Sequence, residues 1–221
     1  MLNIKHNGMT LIEVLIGLLV GIILTFGMVV FYTNTSRISN ETLTVTRLDF
    51  ELQTAMKMMK DDIRRAGYTA NASGLVGQGI ENPFLTTGVS DITAPTANCI
   101  LFTYDLNMDG TLPAVGTAGS DERYGYRVNN QVLQTRAASD PNFDCNAGTW
   151  ENLTNPNLIQ VTGLTFTITE NVQELDPGDP ATATIRVRQV TIAITGQLAS
   201  DAAIQRTITS EVRVRNDKYQ P

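Results

Sequence analysis

One short segment near the middle of the chain carries oxygen-bearing side chains at alternate positions. Its members are Asp105, Asn107 and Asp109, followed by Gly110 and Thr111. Side chains spaced in this way can wrap a hard cation, as in the first half of an EF-hand loop, where the seventh residue adds its backbone carbonyl. The pattern therefore predicts a candidate calcium site.

The second half of this segment departs from the EF-hand pattern. The twelfth position, where a bidentate glutamate is expected, holds Gly116, so that ligand would have to come from Asp121 or Glu122. The alternative interpretation is a polar turn between strands, in which Asp, Asn and Gly are the usual residues. The ligands of the calcium hypothesis are Asp105, Asn107, Asp109, Thr111 and Glu122. No other cofactor is expected.

The two cysteines, Cys99 and Cys145, are a second group of residues with possible chemistry, here the formation of a disulfide. If this part of the chain lies outside the cytoplasm, a disulfide between them is expected, because such compartments are oxidising. The bridge would close a loop of about 46 residues and contribute about 4 kcal/mol in the chain-entropy model. The alternative is a pair of buried thiols.

Enzymatic catalysis is not expected from these residues. The only histidine is His6, close to the N-terminus, so the rest of the chain offers no imidazole for acid–base work or metal ligation. No G-x-S-x-G segment is present. The sequence therefore predicts a protein that acts by binding or assembly.

The charge balance gives no general indication of nucleic-acid binding, because the formal net charge is −6. Five arginines nevertheless alternate with apolar residues near the C-terminus. They are Arg186, Arg188, Arg206, Arg213 and Arg215. We expect them to form the solvated outer face of a half-buried sheet, with a DNA-binding strip as the alternative.

The N-terminal part contains a long uncharged segment. No charge occurs over the 23 residues from Val14 to Ser36, and as a helix this segment would be about 34 Å long, enough to cross a bilayer. Glu13 lies at its edge, where a carboxylate is costly. It either marks the start of the helix, where a negative charge suits the helix dipole, or has a function of its own.

The segment from Gly8 to Leu15, GMTLIEVL, resembles the class III signal of type IV prepilins and type II secretion pseudopilins. The resemblance implies that a prepilin peptidase cuts between Gly8 and Met9 and methylates the new amino terminus. It also implies that Glu13 neutralises the terminal amine of a neighbouring subunit in a filament. An ammonium and a carboxylate cost far less together than apart in a low-dielectric bundle.

Two further features refine the resemblance. Many major pilins carry a proline where this sequence has Val30, which favours a minor subunit. The segment KDDIRRAGY, residues 60–68, is similar to the minor pilins of the PilW and MshO group, with the pseudopilin J of type II secretion as the nearest competitor.

The element that must hold these residues is a long helix. Apolar residues recur on one face from Leu48 to Ala66, and Gly67 suits the position after a helix end. We predict one helix from about 10 to 66. The expected divisions are a leader at 1–8, a transmembrane half at 9–36, an amphipathic half at 37–67 and a β-rich head at 68–221.

The head is expected to contain loop at 68–97, a strand from Cys99 to Tyr104, and a hairpin turning at Asn129-Asn130. Residues 137–157 are expected to be loop again. Alternating apolar residues in the C-terminal third predict three antiparallel strands, with a bulge near Gln189 and a long link at 171–182. The expected fold class is α+β, a long helix packed on an antiparallel sheet, as in pilins.

The sequence thus predicts a minor pilin that takes part in initiation or assembly of a type IV pilus, within its tip complex. A minor pseudopilin of type II secretion is the first alternative, and a membrane-anchored module for DNA or a receptor is the second. The expected partners are other pilins or pseudopilins, the prepilin peptidase and the inner membrane. The N-terminus would be cytoplasmic and the head periplasmic before assembly, and the assembled protein would lie at the cell surface.

Overall fold

The computed structural model describes residues 9–78, 80–117, 121–138, 140–176 and 183–220. Its helices are α1 (Leu11–Ile63) and α2 (Ala72–Gln78). The strands are β1 (Thr93–Thr96), β2 (Cys99–Thr103), β3 (Arg123–Asn129), β4 (Val132–Arg136), β5 (Trp150–Asn152), β6 (Ile159–Glu174), β7 (Thr184–Leu198), β8 (Gln205–Arg213) and β9 (Lys218–Gln220). The chain divides into two compact units between Arg47 and Leu48. The predicted α+β, pilin-like fold class is confirmed.

The N-terminal unit consists of the first part of α1, from Leu11 to Arg47. Its large apolar side chains are exposed along the whole segment. Among the described residues, α1 is the one helix long and apolar enough to cross a membrane. Within this unit, the sequence supplies helix propensity and backbone hydrogen bonds but no partner for the apolar surface.

The second unit, from Leu48 onward, begins with the remaining turns of α1. The predicted apolar face is confirmed, because all of its members are buried: Leu48, Leu52, Ala55, Met59, Ile63 and Ala66. Met56 is buried beside them, whereas Met58 is exposed, so the methionine-rich stretch packs on the sheets through two of its three residues. Each fully buried large side chain contributes about 1.5–3 kcal/mol.

Regular α1 ends at Ile63, three residues before the predicted end, and the chain continues in tighter turns to Gly67. Gly67 has φ 74° and donates its N–H to the Thr103 carbonyl at 2.8 Å. A Cβ there would lie 2.1 Å from the Leu85 side chain. Glycine is therefore required both for the positive φ and for the lack of space beside Leu85. Asn216 Nδ2, from the C-terminal segment, donates to the carbonyls of Arg65 and Ala66 at 3.1 Å each.

A five-stranded antiparallel sheet runs in the order β1-β2-β3-β4-β5. The hairpin between β3 and β4 turns one residue later than predicted, at Asn130-Gln131, because Asn129 pairs with Val132. Both turn residues have positive φ, 50° and 63°, as a type I′ turn requires. The sequence signal at the asparagines located the hairpin but not its register.

Two segments predicted to be loop contain short regular elements. Residues 68–97 include α2 and β1, and residues 137–157 include β5. All three elements have seven residues or fewer, which is too short for a clear hydrophobic period. Their strands add to the sheet by backbone pairing rather than by an apolar pattern.

The second sheet contains β6, β7 and β8 in that order, with β9 also pairing with β7. The three predicted antiparallel strands are therefore present, and β9 was missed. Strand β6 extends to Glu174, into the predicted long link, of which residues 177–182 lie outside the described residues. Its inward residues share one core with α1 and the first sheet.

The predicted bulge near Gln189 is wrong. Pairing of β7 is regular there, and the register shift lies between Val161 and Gly163 of β6. The apolar pattern changes phase because Arg188 occupies an inward position, in line with Val190, and is fully buried. A charged residue can stand on the core face only if it is paired.

The buried Arg188 has charged and polar partners from two other parts of the chain. Its guanidinium forms an ion pair with Asp91 and donates to the Asn216 carbonyl at 2.6 Å, and Lys218 contacts the same carboxylate at 3.0 Å. Burial lowers the pKa of Arg188, while Asp91 opposes that shift. Breaking such a pair from one side is expected to cost about 3–5 kcal/mol.

The predicted solvated arginine face holds in part: Arg206, Arg213 and Arg215 are exposed and Arg186 is half-buried, but Arg188 is interior. Three of these arginines make ion pairs with different acidic residues. These pairs are Arg186 with Glu170 at 3.1 Å, Arg206 with Asp49 at 3.5 Å, and Arg213 with Asp217 at 3.1 Å.

The predicted disulfide is confirmed. Cys99 at the start of β2 is bonded to Cys145, with 6.1 Å between their Cα atoms. The bridge is buried with Leu101, and the partly buried rings of Phe143 and Trp150 cover it. It fastens the loop before β5 to the outer face of the first sheet, away from α1.

Candidate functional site

The N-terminal candidates lie at the start of α1. Met9 is exposed and precedes the helix, and Gly8 lies outside the described residues. Thr10 occupies the N-cap, and Oε2 of Glu13 accepts hydrogen bonds from its N–H and its hydroxyl, both at 2.9 Å. Glu13 therefore helps to cap its own helix, in the manner of a capping box, and remains exposed.

The oxygen-bearing candidates of the head lie where β2 and β3 diverge. Thr103 pairs with Arg123 at the end of the ladder, so Asp105 and Glu122 stand at the two ends of the connecting loop. One oxygen of each carboxylate is fixed by two backbone N–H groups. Asp105 Oδ2 accepts from Ala70 and Gly110 at 2.9 and 3.0 Å, and Glu122 Oε1 accepts from Leu106 and Asn107 at 2.7 and 3.0 Å.

Asp109 completes the cluster. Ligand oxygens of Asp105, Asp109 and Glu122 all lie within 4.8 Å of one another. Asn107 and Thr111, also predicted as ligands, hydrogen bond to Asp109: Asn107 Nδ2 donates at 2.8 Å, and the Thr111 hydroxyl donates at 2.7 Å. The predicted ligand of Thr111 is its backbone carbonyl, and both ligand assignments stay predictions. The side chains of these two residues position the third carboxylate.

Asp121, the other candidate for the missing ligand, is engaged elsewhere. It forms ion pairs with Arg136 at 2.7 Å and with Arg123 at 3.2 Å, all three side chains being buried. Because these ion pairs occupy Asp121, Glu122 is the acidic residue that is left to join the cluster. The sequence alone did not show which of the two would be paired with arginine.

The negative charges of the three clustered carboxylates repel one another. Burial raises the pKa of Glu122, and the carboxylates of Asp105 and Asp109 raise it further, against the two backbone hydrogen bonds. Hydrogen bonds from Thr111 and Asn107 lower the pKa of exposed Asp109. An arrangement of this kind is suited to holding a hard cation.

Comparison with known proteins identifies the family. A model of the family described as prepilin peptidase-dependent protein B matches residues 41–214. The chain belongs to this family. A protein of Escherichia coli (strain K12) named prepilin peptidase-dependent protein B is 26% identical over 198 residues, covering 81% of this chain and 92% of that protein. An uncharacterized protein of Haemophilus influenzae (strain ATCC 51907 / DSM 11121 / KW20 / Rd) is 24% identical over 155 residues, covering 54% of this chain and 65% of that protein. No solved structure matches.

Membership of the prepilin peptidase-dependent protein B family agrees with the pilin-related assignment made from the N-terminal residues. The match to the family model begins at residue 41, after Glu13 and the expected cleavage site. It therefore concerns the end of α1 and the head. Placement within the PilW and MshO group stays a prediction.

A groove of about 520 Å³ adjoins the acidic cluster and was not predicted from the sequence. Its lining includes Arg64, Arg65 and Arg215, together with Tyr104 and Asp105. The Arg65 guanidinium lies 4.6 Å from the centre of the Tyr104 ring, which stacks on Tyr124 at 4.0 Å. Tyr104 follows β2 directly and Tyr124 pairs with Phe102, so the two stacked rings are diagonal neighbours.

Proposed function

We propose that this protein is a minor pilin that takes part in the initiation or assembly of a type IV pilus, within its tip complex. The observation that carries the proposal is the apolar beginning of α1, where the large apolar side chains from Leu11 to Tyr32 are exposed. A surface of this size requires lipid or other subunits to cover it. The name of the family points to processing by prepilin peptidase.

Processing and location follow from the same proposal. The peptidase cuts between Gly8 and Met9 and methylates Met9, and α1 holds the protein in the inner membrane until assembly. The head lies on the extracytoplasmic side, which the Cys99–Cys145 disulfide supports, because such bonds persist in oxidising compartments. Mass spectrometry of the mature protein tests the cut, and an intact Met1 in cells with active peptidase would refute it.

In this proposal the protein works by packing and has no catalytic activity. The apolar helix joins a helical bundle, where Glu13 meets the amino terminus of a neighbouring pilin. The carboxylate has a second role in its own chain, since Oε2 caps Thr10. Loss of Glu13 can therefore act through the charge or through the helix start, and the experiment must separate them.

Three variants separate the two roles of Glu13. Glu13→Gln keeps a side-chain oxygen for the cap but removes the charge, Glu13→Ala removes both, and Thr10→Val removes the capping hydroxyl while keeping the charge. We expect surface pili to fall at least tenfold in both Glu13 variants and to stay within twofold of wild type in Thr10→Val. Electron microscopy and quantification of sheared pili measure the outcome.

Normal piliation in Glu13→Gln would contradict the charge pairing.

The competing assignment, a minor pseudopilin of type II secretion, is tested in a deletion strain. Loss of secreted proteins with normal pili would favour the pseudopilin. Binding of the purified protein to DNA in an electrophoretic assay would favour the DNA-binding alternative, although the separate ion pairs of Arg186, Arg206 and Arg213 give it no continuous positive strip.

A further inference from the structure

The cluster of Asp105, Asp109 and Glu122 has the features of a metal site rather than of a solvated turn. We propose that these three carboxylates bind one Ca²⁺ where β2 and β3 diverge. The proposal goes beyond the role in pilus assembly and does not depend on it.

Two buried oxygens carry the proposal. Asp105 and Glu122 are only 2% and 4% exposed, and Oδ1 of Asp105 and Oε2 of Glu122 have no hydrogen-bond partner among the described residues. The second oxygen of each carboxylate is held by two backbone N–H groups, so neither side chain is free to turn toward solvent. Buried acceptors without partners are rare in folded proteins because they lose their hydration.

The distances fit a common ion. Calcium ligands lie 2.3–2.6 Å from the metal, so two oxygens bound to the same ion are at most about 5 Å apart. The ligand atoms of the three carboxylates lie within 4.8 Å of one another. Asp109 is exposed, which leaves a side of the site open for water to complete the coordination.

The charges of the cluster also favour a bound cation. Within the part of the chain that the structure describes, no arginine or lysine forms an ion pair with Asp105 or Glu122. The neighbouring Asp121 is neutralised by Arg123 and Arg136, so the fold supplies counterions to one acidic residue and withholds them from the next. Three ionised carboxylates at this distance repel one another, and a bound cation removes that repulsion.

The ligand chemistry favours calcium among the common cations. All three side-chain ligands are carboxylates, without the nitrogen or sulfur that zinc prefers. Three protein side chains in an irregular loop suit Ca²⁺, which accepts six to eight oxygens in flexible geometry, better than Mg²⁺, which demands an octahedron. Sites of this kind in extracellular modules have dissociation constants on the order of 10⁻⁴–10⁻³ M.

Binding would join three segments of the head. Asp105 accepts a hydrogen bond from the Ala70 N–H, in the segment that follows α1. Asp109 lies in the loop between β2 and β3, and Glu122 directly precedes β3. Calcium at ten times its dissociation constant should raise the melting temperature of the head by roughly 3–6 °C.

The test uses the full chain, purified in detergent micelles and freed of metal with EDTA. Titration calorimetry with CaCl2 should show one saturable site, and MgCl2 should bind at least tenfold more weakly. Glu122→Gln and Asp105→Asn should weaken calcium binding at least tenfold. Asp109→Asn, at an exposed position where Asn can keep the turn, provides a variant with little risk to folding.

Asp201→Asn is the matched control. Asp201 is an exposed turn residue whose carboxylate accepts from the Ala203 N–H at 3.0 Å, so the substitution removes a charge elsewhere on the head and should leave calcium binding unchanged. Absence of a saturable heat for the folded wild type up to 10 mM CaCl2 would overturn the proposal. So would equal affinity for Mg²⁺, or wild-type affinity in both Glu122→Gln and Asp109→Asn.

Stability in EDTA gives an independent readout. If Glu122 serves to hold a metal, Glu122→Gln should melt at or above the wild-type temperature without calcium, because it removes an uncompensated buried charge. If Glu122 merely supports the loop by hydrogen bonds, the variant should melt lower. Because these measurements use purified protein, failure of the calcium site leaves the assembly proposal standing, and the reverse also holds.

Discussion

The first part of α1, residues 11–47, and its last part, residues 48–63, belong to one helix but differ in how their apolar residues are arranged. Over residues 11–32 of the first part, apolar side chains occur on all sides and are exposed; Leu18, for example, is 61% exposed. Residues 33–47 are mostly polar. In the last part the apolar side chains follow one face and are buried; Leu52 is fully buried. A uniformly apolar helix needs an apolar surrounding, whereas a one-faced helix needs a sheet.

This difference means that the two parts should respond to different changes. The head carries its own core, a disulfide and buried ion pairs, so its stability should depend on residues from Leu48 onward. Substitutions in residues 11–47 should alter insertion and assembly while leaving the unfolding of the head unchanged. Three predictions examine this separation.

The largest expected effect is removal of the disulfide. The double variant Cys99→Ser/Cys145→Ser should lower the free energy of unfolding of the head by about 4 kcal/mol, since the bridge closes a loop with a sequence separation of 46. Guanidinium chloride unfolding in micelles, followed by near-UV circular dichroism, measures the loss. Dithiothreitol should destabilise wild type similarly and should not affect the double variant; an equal response of both would contradict the assignment.

A matched pair of leucine truncations compares the two parts of α1 directly. Leu52 packs so closely on β7 that a Cβ added at Gly196 would lie 2.8 Å from its side chain. Leu52→Ala should therefore cost about 3 kcal/mol, within the usual range for buried leucines. Leu18→Ala should change the same unfolding curve by less than about 0.5 kcal/mol. Similar losses in both variants would show that the apolar part also stabilises the head.

The smallest effect is a pH dependence that arises from Glu122. Its pKa in the folded head is raised by burial and by Asp105 and Asp109, so between the unfolded pKa and the folded pKa the native state binds more protons. The free energy of unfolding must then fall as the pH rises from the unfolded pKa of Glu122 to its folded pKa. Below the unfolded pKa, the stabilising contribution of protonated Glu122 is fully present. In EDTA, the stability of wild type relative to Glu122→Gln should decrease from pH 4 to pH 7.

Glu13→Gln provides the control for this measurement, because Glu13 is exposed at the other end of α1. Its unfolding curves should follow wild type at each pH. A constant difference between wild type and Glu122→Gln across the range would contradict the raised pKa.

The sequence predicted those parts of the fold that depend on local period. The buried face of α1, the hairpin and the main strands of the second sheet each repeat over enough residues to give a clear signal. The short elements β1, β5 and β9 gave none. The position of Arg188 could not be predicted either, because an inward arginine is acceptable only through Asp91, which lies 97 residues earlier in the chain.

The candidate sites show the same division. Alternation of oxygen-bearing residues indicated the loop that begins at Asp105, but the sequence left Asp121 and Glu122 equivalent. Their difference is the nearby Arg136, which pairs with Asp121 alone. At the N-terminus, the spacing of Thr10 and Glu13 could have indicated the cap, since a threonine followed three residues later by a glutamate is a recognised helix start.

The hydrogen bonds of Asn216 also determine when the head can be completed. The carbonyls at the end of α1 receive their donor from a residue 150 positions later, and Lys218 reaches back to Asp91. The end of α1 therefore acquires its full set of hydrogen bonds only when nearly the whole chain is present. A chain truncated before Asn216 should leave the Arg65 and Ala66 carbonyls without this donor, so a change at one end of the sequence should loosen a helix end near the other.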